Sequence, residues 1–125
     1  MADQDVDTRT DDGSDGHVNT VYLRGRVSAA ATERVLPSGD VIVTARLVIR
    51  RPTGAARARQ PVDTLDCMAW SARSRRCLLS WEPGLLVEVE GAVRRRFRRG
   101  PAGLTSRVEI EVTSARRVRT GPRPR

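Results

Sequence analysis

The sequence predicts an all-β domain: a small closed barrel of five strands with one short helix. In several segments every second residue is apolar, which is the spacing of a half-buried strand. The chain of 125 residues contains only four aromatic residues, so its core must consist mainly of Val, Leu, Ile and Ala. Such β-branched residues favour strands, and a chain of this length forms one domain with one core.

The first two predicted strands each have an apolar face and a basic face. In residues 18–28 the apolar positions alternate with Arg24 and Arg26, and in residues 41–51 they alternate with polar positions that include Arg46. An Ala-rich connection and a Pro-Ser-Gly turn separate the two segments. Alternation of this kind predicts strands with one face toward the core and one toward solvent or a ligand.

The third strand and the helix follow directly. Residues 62–70 alternate again, and the face opposite the core ends in Trp70. Residues 71–84 predict a helix of two to three turns, because Ser71 is a suitable N-cap and a Pro-Gly pair stops the segment. Trp81 lies on the apolar side of this helix and is expected in the core.

The last two strands are predicted for residues 85–93 and 104–118, joined by a basic hairpin loop with the sequence RRRFRRGPAG. The complete order is β, β, β, α, β, β. A helix between strands three and four, together with long basic hairpins, is typical of the five-stranded Greek-key barrel called the OB-fold, which binds oligonucleotides on one face. Other small barrels have the same periodicity and stay open as alternatives.

The charge of the chain is uneven and indicates a polyanionic partner. The net charge is +8, yet residues 1–17 hold six Asp against Arg9, so that the rest of the chain carries +13. All 23 basic residues are Arg. Guanidinium groups stack on flat rings and form paired hydrogen bonds with phosphates, so nucleic acid is favoured over an acidic membrane. The alternative is a basic surface that only keeps the protein soluble.

The charge pattern also divides the chain into three parts. The composition predicts that residues 1–17 form a disordered acidic arm, that residues 18–118 form the folded nucleic-acid-binding domain, and that residues 119–125 form a short basic tail. One hypothesis is that the arm occupies the basic groove and competes with nucleic acid. The alternative is that the arm is a solubilising appendage.

Neither metal chemistry nor catalysis is expected. The two cysteines and single histidine do not form a four-ligand site, and no segment reaches the length of a membrane span. The protein is therefore predicted to be cytoplasmic and nucleoid-associated, with reduced thiols, no cofactor and no membrane contact. No catalytic residue or phosphate-binding loop is identified, and the carboxylates of the last two strands are expected on their solvent sides: Glu88, Glu90, Glu109 and Glu111.

Several motifs, in this order and spacing, resemble those of the bacterial single-stranded DNA-binding protein (SSB) family. VYLRGRV (21–27) resembles the opening strand of that family, and Arg34 followed by Pro-Ser-Gly resembles its first turn. DTLDCMAW (63–70) is similar to its strand that ends in an aromatic residue, and Gly84 stands where a Gly follows the family's helix. LVEVEGAV (86–93) matches the apolar-x-apolar-Glu-Gly-x-apolar pattern.

The resemblance covers residues 18–118 and implies an OB domain that assembles into dimers or tetramers. Such domains bind single-stranded DNA with little sequence specificity during replication, repair and recombination. Thr64 replaces an aromatic residue of the family, and the loop after the second strand lacks another, so two stacking positions are missing. Residues 121–125 read GPRPR, so the acidic C-terminal tip by which the family docks replication and repair enzymes is expected to be missing. We therefore expect a divergent paralogue, with another SSB or replication and repair proteins as further partners.

Candidate binding residues follow from what a single strand needs, namely flat groups for its bases and cations for its phosphates. Trp70 and Phe97 are predicted to stack on bases, with core packing as the alternative for each. Phosphate contacts are predicted for arginines of the second strand, the loop after it and the last hairpin: Arg46, Arg50, Arg51, Arg57, Arg59, Arg94, Arg96, Arg98 and Arg99. The alternatives are a solvated basic face, a protein-interaction OB module, and single-stranded RNA binding.

Overall fold

A computed structural model describes residues 15–52 and 61–119 of the chain. The described residues form six strands and one helix: β1 (Val21–Val27), β2 (Thr32–Val35), β3 (Val41–Arg50), β4 (Val62–Ala69), α1 (Ala72–Leu79), β5 (Leu86–Gly100) and β6 (Gly103–Arg117). Within these two ranges no helix is long and apolar enough to cross a membrane.

The strands form one sheet that closes on itself. Its order is β1-β5-β6-β4-β3-β2, and β1 pairs additionally with β3 at Arg26 and Val27. β4 and β6 are parallel, and the other neighbours are antiparallel. Five strands therefore form the predicted barrel. β2 lies outside the ring as a four-residue edge that pairs with β3 alone in the described structure, whereas the sequence predicted only a connection for this segment.

The core consists of the alternating apolar positions that the sequence identified. Leu47, Cys67, Val87 and Val89 lie inside the barrel at 1% exposure or less, and Trp81 joins them beneath the helix at 3% exposure. The prediction that Trp81 is a core residue is confirmed. Burial also raises the pKa of the Cys67 thiol to about 12, so this cysteine stays protonated at neutral pH.

Helix α1 begins as predicted but ends earlier. Ser71 is the N-cap, and its hydroxyl accepts a hydrogen bond from the amide of Ser74 at 3.1 Å. The helix ends at Leu79 and not at the Pro-Gly pair. Ser80 caps the C-terminus, because both its amide and its hydroxyl donate hydrogen bonds to the carbonyl of Cys77. This carbonyl is one of those that have no partner within the helix at its C-terminal end.

The sequence predicted a ten-residue hairpin loop between the last two strands, and this prediction is wrong because most of the segment is strand. β5 and β6 remain paired through the whole arginine-rich segment, as far as Gly100 opposite Gly103. β1 covers β5 only up to Gly91, and β4 pairs with β6 only at Ile110 and Glu111. Residues 92–109, which we call the β5–β6 ribbon, consequently project from the barrel as two strands joined by a two-residue turn.

Gly91 fixes the base of this ribbon, where the register of β5 against β6 shifts. A Cβ atom at Gly91 would lie 1.9 Å from the carbonyl oxygen of Glu111, so the two backbones approach too closely for any other residue. We expect Gly91→Ala to lower the free energy of unfolding by about 3 kcal/mol, measured by urea denaturation. Gly100→Ala is the control, because a Cβ atom at Gly100 would have no neighbour within 4 Å. Equal stability of the two variants would contradict the close approach.

Glu88 is a second departure from the sequence-based expectation, since it is buried at 5% exposure and not on a solvent face. Its carboxylate accepts hydrogen bonds from Arg24 and pairs with Arg116 at 2.6 Å. Tyr22 and Arg24, followed by Arg116, hold the pKa of Glu88 below its usual range. Arg24 therefore has a structural partner on the barrel wall.

This arrangement predicts a pH-dependent contribution to stability. Because the pKa of Glu88 is depressed in the folded state, its contribution is complete above the unfolded pKa and is lost as the pH falls through the lower folded value. We expect Glu88→Gln to destabilise the protein at pH 7, with a deficit that shrinks in urea titrations below about pH 4. Glu90→Gln, at an exposed neighbouring position, is the control. A deficit that is independent of pH would contradict this role for the Glu88 ion pairs.

Candidate functional site

One face of the barrel brings together many of the residues that the sequence predicted for binding. Strand register places Arg46 opposite Asp66 on β3 and β4, and Met68 opposite Glu111 on β4 and β6. Arg94 of β5 forms an ion pair with Glu111 from the same side. We call this surface, formed by the polar sides of β3, β4, β5 and β6, the groove face.

Trp70 lies at the end of β4 on the groove face and is half-buried. The guanidinium carbon of Arg96 lies 5.5 Å from the centroid of its ring, within the range of a cation–π interaction. Arg96 is itself held by Nε, which donates to Glu109 Oε1 at 2.8 Å, and by Nη2, which donates to Met68 Sδ at 3.1 Å. Trp70 and Arg96 thus form a fixed pair of flat groups above the buried Met68.

Two cavities adjoin at Arg96, and the larger is also lined by Trp70. The larger, about 620 Å³, is lined by Met68, Trp70, Arg94, Arg95, Arg96, Phe97 and Glu111. The smaller, about 320 Å³, is lined by Arg96, Phe97, Thr105, Ser106, Arg107 and Glu109. Arg96 and Phe97 border both cavities, so the depression extends from Trp70 along the ribbon. Both predicted stacking residues lie on it.

Phe97 reaches this depression from the other side of the ribbon. It is paired with Ser106, one position from the pair formed by Arg96 and Arg107, so by alternation its side chain belongs to the opposite face of the ribbon. The ring is 63% exposed and does not pack on the barrel, which was the alternative considered from sequence. A ligand that contacts both Trp70 and Phe97 must therefore pass the edge of the ribbon.

Carboxylates neutralise most of the arginines on the groove face. Arg46 pairs with Asp66 at 3.0 Å, Arg94 with Glu111 at 2.7 Å, and Arg96 with Glu109 at 2.8 Å. Arg107 approaches the second oxygen of Asp66 at 3.9 Å. The predicted phosphate contact Arg51 lies off this face: it pairs at 2.7 Å with Asp63, which faces the other side of β4, and it holds the pKa of Asp63 below its usual range. The groove face therefore offers paired charges and not the open cationic track that the sequence suggested.

Glu109 and Glu111 are among the residues that sequence reasoning misplaced. Their side chains are 13% and 29% exposed and lie between the arginines of the groove face, whereas they were expected on a solvent side. The tight turn after Gly100 sets the register that puts residues 107, 109 and 111 on the side of Arg94 and Arg96. Counting residues back from this turn would place Glu109 and Glu111 beside the arginines, but only once the two strands are known to pair along their whole length.

The remaining predicted residues lie elsewhere. Arg50, at the end of β3, borders a separate cavity of about 390 Å³ together with Arg24 and Arg26 of β1. Arg99 is exposed near the tip of the ribbon, and Arg98 lies beside it on β5. The two predicted loop arginines, Arg57 and Arg59, lie outside the described residues. Residues on the depression that the sequence did not single out are Met68, Arg95, Thr105, Ser106 and Arg107.

Comparison with known proteins places the chain among relatives. A model of the single-strand binding protein family matches residues 18–118. The chain belongs to this family. It is 28% identical over 86 residues to single-stranded DNA-binding protein 3 of Listeria innocua serovar 6a, which covers 69% of this chain and 54% of the relative. It is 24% identical over 88 residues to a single-stranded DNA-binding protein of Oceanobacillus iheyensis, which covers 70% and 55% respectively.

The structural comparison agrees with the family assignment. The fold is similar to that of a Plasmodium falciparum SSB in complex with ssDNA, with a TM-score of 0.68 at 16% identity, covering 82% of this chain and 96% of that one. The predictions of an OB-fold and of SSB family membership are confirmed. The chain spans about half the length of the curated relatives that it matches.

Proposed function

We propose that the protein binds single-stranded DNA with little sequence specificity along the groove face and the β5–β6 ribbon. The observation that carries this proposal is the pair of adjoining cavities that share Arg96 and Phe97, the larger of which is also bordered by Trp70. Family membership and the named ligand of the structural neighbour support the same ligand class. The proposed setting is replication, repair or recombination at the nucleoid. In this setting the protein forms homo-oligomers and has another SSB or replication and repair proteins as partners.

Base stacking supplies the part of the binding free energy that does not depend on phosphates. A base in the larger cavity meets the indole of Trp70 together with the Arg96 guanidinium, both of which are flat and already held in place. An aromatic stack contributes about 1 to 3 kcal/mol per base and accepts all four bases. Little sequence preference follows, because stacking does not read the base edges.

Phosphate binding requires an exchange of partners. Arg46 and Arg94 contact Asp66 and Glu111 through Nε, so a phosphate at either arginine either shares the guanidinium with a nearby carboxylate or displaces it. The more exposed pairs, Arg46–Asp66 and Arg94–Glu111, contribute about 0.2 to 1 kcal/mol each, so exchanging the carboxylate for a phosphate gains little. We therefore propose that stacking makes a larger contribution than the total count of arginines suggests.

The stacking role of Trp70 is tested by titrating the protein with oligo(dT) of about 35 nucleotides, a length that exceeds the roughly 4 to 16 nucleotides bound by one OB domain. We expect quenching of tryptophan fluorescence in the wild type and weaker competition by duplex DNA. Trp70→Ala should lose the quench and weaken binding by about 5- to 150-fold, the equivalent of one stack. Trp81→Phe is the control, because Trp81 is buried and its loss leaves the quench in place. Equal affinity for duplex DNA, or none for either, would refute the proposed function, and preference for RNA would reassign the ligand.

The exchange of partners predicts a gain of affinity when the carboxylates are neutralised. We expect the double variant Glu109→Gln, Glu111→Gln to bind oligo(dT) about ten-fold more tightly at low salt, since two competing anions are removed. Its affinity should also fall more steeply with salt, because more arginine charge is available to phosphates. The control is Glu33→Gln, Glu82→Gln, which removes two exposed charges outside the groove face. A similar gain in affinity in the control would show that the tighter binding comes from the change in net charge and not from the release of Arg94 and Arg96.

A further inference from the structure

The side of the ribbon that faces away from the groove face is a second surface, which adjoins the larger cavity at Arg95 and Phe97. Arg95 pairs with Val108, Phe97 with Ser106, and Arg99 with Leu104. These residues, with Val93 at the base, share one face, which we call the outward ribbon face: Val93, Arg95, Phe97, Arg99, Leu104 and Val108. Its four large apolar residues are 38% to 63% exposed. A cluster of this size on one face indicates an interaction surface.

The cations of the outward ribbon face are not neutralised as those of the groove face are. Arg95 donates a hydrogen bond to the hydroxyl of Ser106 at 3.0 Å. Among the described residues, no carboxylate forms an ion pair with Arg95 or Arg99. The surface combines an exposed apolar stripe with available positive charge. This combination suits an extended acidic segment and disfavours a second copy of the same ribbon, whose arginines would repel these.

Asn19, two residues after the end of the acidic arm, is fixed at the base of this surface. The side-chain amide of Asn19 donates to the carbonyl of Val93 at 2.8 Å, and its oxygen accepts from the amide of Val93 at 2.9 Å. Asn19 therefore holds the segment before β1 against the edge of β5, two residues before Val21 pairs with Gly91. Val18, 62% exposed, precedes it directly.

The arm has the length and the charge to cover the outward ribbon face. The ribbon extends about 25 Å from Val93 to Gly100 at the rise of an antiparallel strand, whereas the 17 residues of the arm extend up to about 55 Å. Six Asp against one Arg are therefore tethered within reach of Arg95 and Arg99. Tethering keeps the effective concentration of such a segment high without a strong contact.

We propose that residues 1–17 dock on the outward ribbon face, with aspartates against Arg95 and Arg99 and the chain across Phe97. This location differs from the groove, which was one hypothesis from the sequence beside a solubilising appendage, because the groove arginines already have carboxylate partners. Where Phe97 also binds a base, the arm and single-stranded DNA compete for the ribbon. That consequence rests on the proposed function, but docking of the arm does not.

Docking is tested without DNA, on the full chain. Backbone amide NMR shifts of Phe97, Leu104 and Val108 are compared among the wild type, a variant with all six arm Asp changed to Asn, and a variant with all six changed to Glu. We expect the wild type and the Glu variant to agree, the Asn variant to differ at these residues, and rising salt to move the wild type toward the Asn variant. The indole signal of Trp70 should stay in place.

Identical spectra for all three proteins, or changes centred on Trp70, would overturn docking at this face. Oligo(dT) binding at low salt then tests competition, with the Asn variant expected to bind about five-fold more tightly than the Glu variant. Equal affinities alongside the NMR changes would overturn the competition and leave docking in place. If none of the three proteins binds oligo(dT), the proposed function fails, while the NMR result still decides the docking.

Discussion

The closing contact between β1 and β3 is the constraint on which the rest of the structure depends. Only Arg26 and Val27 of β1 pair with β3 there, opposite Val48 and Leu47. Gly25 makes this approach possible, since a Cβ atom would lie 2.7 Å from both the carbonyl oxygen of Val48 and the side chain of Ile49. Closure turns a sheet with one apolar side into a barrel with one interior.

The limits of the other strand pairings explain why the ribbon projects. β1 leaves β5 at Gly91 and the β4 pairing with β6 begins at Ile110, so the residues between have no further barrel strand to join. Alternation along β5 then divides the arginine-rich segment between two faces. On one face Arg94 and Arg96 meet glutamates and Trp70. On the other, Arg95 and Arg99 flank exposed apolar side chains. The two faces therefore differ in their free charge although one continuous sequence supplies both.

The barrel could be predicted from sequence because its determinants are local. Alternating apolar residues identify the strands, and Ser71 identifies the start of the helix. The roles of Glu88, Glu109 and Glu111 could not be predicted in this way, because they depend on which strand lies opposite. Alternation places a carboxylate on a polar face without showing whether that face meets solvent or arginines of another strand. The paired ribbon was missed for a related reason. A run of arginines shows no alternation of apolar residues, and β5 and β6 continue through it because each strand pairs with the other.

Photo-crosslinking of oligo(dT) to the intact protein, followed by peptide mapping, tests the location of the binding surface most directly. Tyr22 provides an internal comparison, because its ring is 56% exposed and lies on the barrel wall beside Glu88, away from the groove face. We predict crosslinks at Trp70 and Phe97 and none at Tyr22. Crosslinks confined to Tyr22 and the surrounding wall would contradict binding along the groove face and the ribbon.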